Sequence, residues 1–92
     1  MYQLGYFVLG VILLRIDKYL KVSRLIKRRT VANEACDREK VFVNGRVVKA
    51  SYEVKIGDEI ELRLEKNPLR VVVTSISAYV TKEGAKEMYE IR

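Results

Sequence analysis

The chain has 92 residues, with 18 lysines and arginines against 12 aspartates and glutamates, a net charge of +6, one cysteine and no histidine. That length holds one small domain, and the single cysteine rules out an internal disulfide, which fits a reducing compartment. Without histidine the commonest general base and metal ligand are missing, and no glycine-rich phosphate loop, nucleophile elbow or paired carboxylates stand in for them, so catalysis is not expected.

Residues 1–14, MYQLGYFVLGVILL, carry no side-chain charge. They fall short of the roughly 20 apolar residues that span a bilayer, and they lack the basic n-region and small-residue cleavage site of a signal peptide. One reading is an apolar extension, with residues 4–14 as a membrane-surface anchor in its strongest form. Another is a start assigned too far upstream, since Leu14 directly precedes Arg15 and a UUG or CUG start codon would be written as leucine. Finding Met1 or Tyr2 at the terminus of the native protein by mass spectrometry would end the second idea.

Next comes RIDKYLKVSRLIKRRT, residues 15–30. Ile16, Tyr19, Leu20, Ser23 and Ile26 recur at helical spacing, while Lys18, Lys21, Arg28 and Arg29 cluster on the opposite side. The pattern predicts a first helix ending near residues 25–27. Thr30 then serves as the N-cap of a second helix or sits in its first turn, with Val31, Ala32, Ala35 and Cys36 on one packed face and an end around residues 37–39. On that face Cys36 is a packing residue rather than a reactive one.

Charge sets this stretch apart. Arg15, Lys18, Lys21, Arg24, Lys27, Arg28 and Arg29 oppose only Asp17, so its net charge equals the +6 of the whole chain, and from Thr30 onward basic and acidic residues balance. A local field of one sign concentrates phosphates and releases their counterions, which points to a polyanion such as a nucleic acid.

The period then shortens. VFVNGRVV, residues 41–48, places two β-branched runs around Asn44-Gly45, the strongest short hairpin signal. KIGDE, residues 55–59, marks a turn. After it Ile60, Leu62 and Leu64 alternate with Glu61, Arg63 and Glu65 as a half-buried strand. KNP makes another turn, and LRVVVTSI, residues 69–76, reads as a further strand. Residues 79–92 form a tail in which Thr81 opens a short helix with Ala85, Met88 and Tyr89 on one face, a reading weakened by Gly84. No aromatic stacking platform is visible.

The order of RIDKYL, KRRTVANEA and VFVNGRVVKASYEVKIGDEIEL resembles the S-four RNA-binding domain, over residues 15–64. The resemblance implies an α+β fold in which two N-terminal helices pack on a small, mainly antiparallel sheet, the αL-type RNA-binding motif. It sets the domain at 15–78, between the apolar extension 1–14 and the tail 79–92. Within that superfamily, RIDKYLKVSRLIKRRTVANEA and the ending AKEMYEI look most like the RqcP (YabO) family of bacterial ribosome-associated quality-control factors. That likeness implies a cytoplasmic, ribosome-associated, non-enzymatic monomer without cofactor or membrane partner. Its partners would be large-subunit ribosomal RNA, the P-site tRNA of an obstructed subunit and an RqcH-type factor that adds alanine tails to the stalled chain.

By the same likeness Arg15, Arg28 and Arg29 make the specific RNA contacts, while Lys18, Lys21, Arg24 and Lys27 belong to the same basic string and supply field. Arginine suits the first role because its planar fork binds phosphate in bidentate fashion and stacks on bases. Asn44 and Gly45 make the turn that presents Arg46 and Lys49 near the RNA, and Asn44 is itself a candidate RNA contact. The alternatives are a heat-shock-type S-four protein that recycles large subunits carrying nascent chains, and a generic rRNA- or tRNA-binding module. S-four domains also occur as appendages of RNA-modifying enzymes and synthetases, but no residues are left here for a catalytic domain.

Overall fold

In the computed structural model, which describes residues 13–77 and 80–92, two helices lead into an antiparallel sheet. Helix α1 spans Ile16–Val22 and α2 spans Arg29–Asp37. Strands β1 (Val41–Val43), β2 (Arg46–Val47), β3 (Glu59–Leu62) and β4 (Leu69–Val73) follow. The chain then forms a single helical turn, α3 (Lys82–Ala85), a 3₁₀ turn (Lys86–Met88) and strand β5 (Tyr89–Ile91). The sheet order is β2-β1-β3-β4-β5, and every pairing is antiparallel. This is the expected α+β architecture. The expectations for residues 1–12 lie outside the described residues.

Helix α1 ends earlier than its apolar spacing predicts, at Val22 rather than near 25–27. Ser23 caps it and Arg24 turns left-handed at φ 66°, which lets the Arg24 N–H reach the Lys21 carbonyl and the Ile26 N–H reach that of Leu20, both at 3.0 Å. Ile26 therefore re-enters the core from a loop, not from the helix. Helix α2 has Arg28 as its N-cap and Thr30 in its first turn. It closes in a Schellman motif: Glu39 takes φ 61°, its N–H donates to the Cys36 carbonyl, and the Lys40 N–H donates to that of Ala35. Ala32, Ala35 and Cys36 are buried as expected, but Val31 is 44% exposed, because the packed stripe runs through 32, 35 and 36 and leaves residue 31 on its margin.

Asn44 (φ 51°) and Gly45 (φ 85°) both occupy the left-handed region, as a two-residue hairpin requires, and the register pairs Phe42 with Val47 and Val43 with Arg46. Ile60 and Leu62 point into the core, but the alternation stops there. The Arg63 N–H bonds to the Lys40 carbonyl, β3 ends, and Leu64 is 45% exposed instead of half-buried in a strand. Strand β4 likewise ends at Val73 rather than Ile76, because the Thr74 and Ser75 N–H groups both turn to the Met88 carbonyl. The tail is helical only over α3 and the 3₁₀ turn. Tyr89, expected on a helix face, opens β5, which pairs Tyr89 with Val73 and Ile91 with Val71.

The core lies between the helix pair and one face of the sheet, with Ile16, Tyr19, Leu20, Ile60, Val41 and Val71 all sealed from solvent. Each such side chain contributes roughly 1.5–3 kcal/mol relative to exposure. Leu14 joins this core at 2% exposure. The adjoining backbone runs beside residues 50–54, with the Val54 N–H on the Leu14 carbonyl (2.9 Å) and the Ile16 N–H on that of Tyr52 (2.7 Å). Tyr19 donates its hydroxyl to the Met88 carbonyl at 2.7 Å, tying α1 to the C-terminal turn; burial, then the neighbouring Tyr89, holds that phenol far above its ordinary pKa. Among the described residues, no helix is long and apolar enough to cross a membrane.

Candidate nucleic-acid interface

Asp17 is the single carboxylate of the basic stretch, and it is buried at 2% exposure. An isolated buried carboxylate is costly, so it must be paired. Arg15 grips it as a fork, Nε to Oδ1 at 3.2 Å and Nη2 to Oδ2 at 3.1 Å. Arg29 adds Nη2 to Oδ1 at 3.4 Å, and Asn33 adds Nδ2 to Oδ2 at 3.3 Å. Burial pushes the Asp17 pKa up, but the hydrogen bonds from Asn33, Arg15 and Arg29, together with the Arg29 charge, outweigh it and hold the carboxyl below its usual range.

The two arginines come from different elements, Arg15 from the N-cap of α1 and Arg29 from the first turn of α2, and one aspartate fixes both. Their side chains stay 48% and 47% exposed. Two guanidiniums on one carboxylate leave a net positive charge, and most of their N–H donors remain free for an external acceptor. Helix α2 also begins without a side-chain cap or an acidic residue in its first turn, so its backbone N–H groups and dipole add to the positive field.

The other predicted cations lie on the same two helices and the connection between them. Lys21 lies exposed on α1 and Lys18 is half-buried on the same helix. Arg24 and Lys27 are exposed in the connection between the helices, with Arg28 at the N-cap of α2. Arg24 carries its charge at a left-handed position that favours glycine.

Asn44, Arg46 and Lys49 lie around the hairpin, and Lys49 precedes Ala50, whose carbonyl accepts from the Asp17 N–H at 3.3 Å. Asn44 donates Nδ2 to Asp58 (3.1 Å) and accepts at Oδ1 from the Glu59 N–H (3.0 Å), so its amide is occupied with holding two turns together. Asp58, 7% exposed, also accepts from the Tyr52 hydroxyl (2.8 Å) and the Lys55 N–H (2.9 Å). Burial, then Asp58, pushes the Tyr52 phenol up to about 12. Arg46 and Lys49 are exposed beside this turn, and among the described residues no hydrogen bond or ion pair joins them to the Asp17 cluster.

Sequence reasoning missed Asp17, Asn33 and Asp58. For Asp17 a signal existed: a lone carboxylate two residues from Arg15, inside a run of cations, invites the question of what it holds.

A family model described as the S4 domain matches residues 14–60. The chain is 47% identical over 79 residues to the RQC P-site tRNA stabilizing factor of Halalkalibacterium halodurans, covering 86% of this chain and 90% of that protein. It is 46% identical over 78 residues to the protein of the same name from Bacillus subtilis, covering 85% and 91%. Among solved structures, the trimeric structure of Vibrio cholerae Heat Shock Protein 15 superposes with a TM-score of 0.82 at 29% identity, over 88% of this chain and 83% of that one.

Proposed function

The chain belongs to the S4 domain family, and from that premise we propose that it is a non-enzymatic RNA-binding factor that stabilises P-site tRNA on obstructed large ribosomal subunits. The observation that carries this reading is the confinement of the chain's entire +6 net charge to residues 15–29, with Arg15 and Arg29 pre-set on Asp17. Phosphates of tRNA and of large-subunit ribosomal RNA are the ligands that such forks fit. Bound there, the protein would hold the peptidyl-tRNA while an RqcH-type partner extends the stalled chain with alanine. It would act in the cytoplasm as a monomer, with Arg28 and Arg29 in specific contact and the lysines drawing RNA in.

A second reading, recycling of large subunits that carry nascent chains, is favoured by the likeness to Heat Shock Protein 15. Loss of alanine tails on deletion of this protein alone separates the two, because a recycling factor leaves tailing intact.

The direct test is sucrose-gradient sedimentation of tagged protein. Wild type is expected with free large subunits and the Arg28→Ala/Arg29→Ala variant at the top of the gradient, with binding that weakens steeply as salt rises. A folded double variant that still sediments with large subunits removes both residues from the site.

A further inference from the structure

Glu34 lies on α2, one turn beyond Thr30, at the margin of the basic surface. Its carboxylate is exposed and has no hydrogen bond or ion pair among the described residues, and Arg38, one turn further along the helix, does not pair with it. An unpaired carboxylate repels phosphate, so at a surface that binds only backbone it lowers affinity. With Asp17, Arg29, Thr30 and Asn33 it lines a shallow, open hollow of about 380 Å³ on the surface. A cavity of the same size beside Cys36 is lined by residues outside the basic stretch, and the hollow under Leu25 and Leu64 measures only about 190 Å³.

The lining has a definite chemistry. Glu34 offers two acceptor oxygens and no donor, and the Asn33 carbonyl is a third acceptor, because that side chain bonds to Asp17 through an N–H alone. Arg29, fixed by Asp17, offers a guanidinium plane against which a base can stack. Sequence-specific RNA recognition works on unpaired bases, which stack on such planes and are read along their Watson–Crick edges. Guanine alone sets two donors side by side on that edge, N1–H and N2–H, and they match the two oxygens of a carboxylate. Adenine and cytosine present one amino group beside an acceptor, and the N3–H of uracil lies between two carbonyls that a carboxylate repels.

We propose that this open hollow receives one unpaired guanine of the bound RNA, with Glu34 accepting from N1–H and N2–H while Arg29 stacks on the ring. The proposal rests on the RNA-binding reading and deepens it: the arginines supply affinity and the lone glutamate supplies base identity.

Selection from a pool of RNA hairpins with randomised loops, on immobilised wild-type protein and on Glu34→Gln, tests it. Wild type is expected to enrich loops holding an unpaired guanine by about tenfold or more, the discrimination of one bidentate pair. Glu34→Gln replaces one acceptor with a donor and is expected to retain RNA without that enrichment. Replacing the selected guanine by inosine, which lacks the N2 amino group, is expected to weaken wild-type binding and leave the variant unchanged. Retained RNA without guanine enrichment overturns the proposal, as does enrichment that survives Glu34→Gln. So does a uniform gain of all loops on the variant over a wild type that shows no preference for guanine, which would mark the carboxylate as merely repulsive. Retention of no RNA above the bare support overturns the RNA-binding reading itself, so the two failures are distinct.

Discussion

Replacing Asp17 by asparagine removes the charge and keeps the shape. The native carboxylate accepts from Arg15 twice, from Arg29 and from Asn33, whereas asparagine offers one oxygen and turns an amide N–H toward groups that are themselves donors. Breaking a buried ion pair costs about 3–5 kcal/mol when the surviving partner stays buried. Here both arginines are roughly half exposed and recover water, which reduces the expected loss to about 2 kcal/mol. For a domain of this length that lowers Tm by on the order of 10 °C, measurable by calorimetry. The effect depends on pH. The folded state holds Asp17 ionised below the ordinary value of 3.8, so the stabilisation is complete above that value and is lost as pH falls through the lower folded-state pKa. The difference between wild type and Asp17→Asn should therefore be constant near neutrality and shrink in acid. Equal stability at pH 7, or a difference that grows on acidification, refutes the account.

Both helices end on a charged residue in the left-handed region, which glycine adopts without the roughly 1 kcal/mol penalty of a side chain. Glu39→Gly should therefore raise stability in urea titration without changing RNA affinity, while Arg24→Gly should stabilise similarly but reduce the slope of log affinity against log salt by about one. Tyr19→Phe deletes the hydroxyl bonded to the Met88 carbonyl, yet that carbonyl keeps the Thr74 and Ser75 N–H groups, so the cost should be near 1 kcal/mol. Hydrogen exchange should show it as faster opening of β5. Burial first, then Asp17 and Asp37, pushes the Cys36 thiol up to about 11, so alkylation at pH 8 should be slow in the native protein and should accelerate only in denaturant.

The hairpin was readable because its chemistry is local: Asn44-Gly45 names its own backbone conformation. The helix pair was readable because Ile16, Tyr19, Leu20, Ala32, Ala35 and Cys36 keep helical spacing. Where α1 stops was not, since Arg24 bears no sign that it will turn left-handed, and the bonds that compensate arise only once Ile26 is drawn into the core. Strand β5 was hidden for a similar reason. Its pairing with β4 depends on the Met88 carbonyl gathering the Tyr19 hydroxyl and two backbone N–H groups, all from distant parts of the chain.

The site divides along the same line. Charge is additive along the chain, so the basic stretch declared its sign in the sequence; which cations stand fixed is a matter of contacts across elements, and for Arg15 and Arg29 Asp17 decides it. Lys21, Lys27 and Arg28 carry charge to the surface with nothing to hold them among the described residues, whereas Arg15 and Arg29 are held before any ligand arrives. Immobilising a long side chain on binding costs about 0.5–1.5 kcal/mol, so two arginines ordered in advance spare roughly 1–3 kcal/mol. That is a factor of about 5 to 150 in affinity at no change in net charge. A buried carboxylate in a surface proposed to bind phosphate is therefore not a contradiction. It surrenders one unit of field and returns two oriented forks.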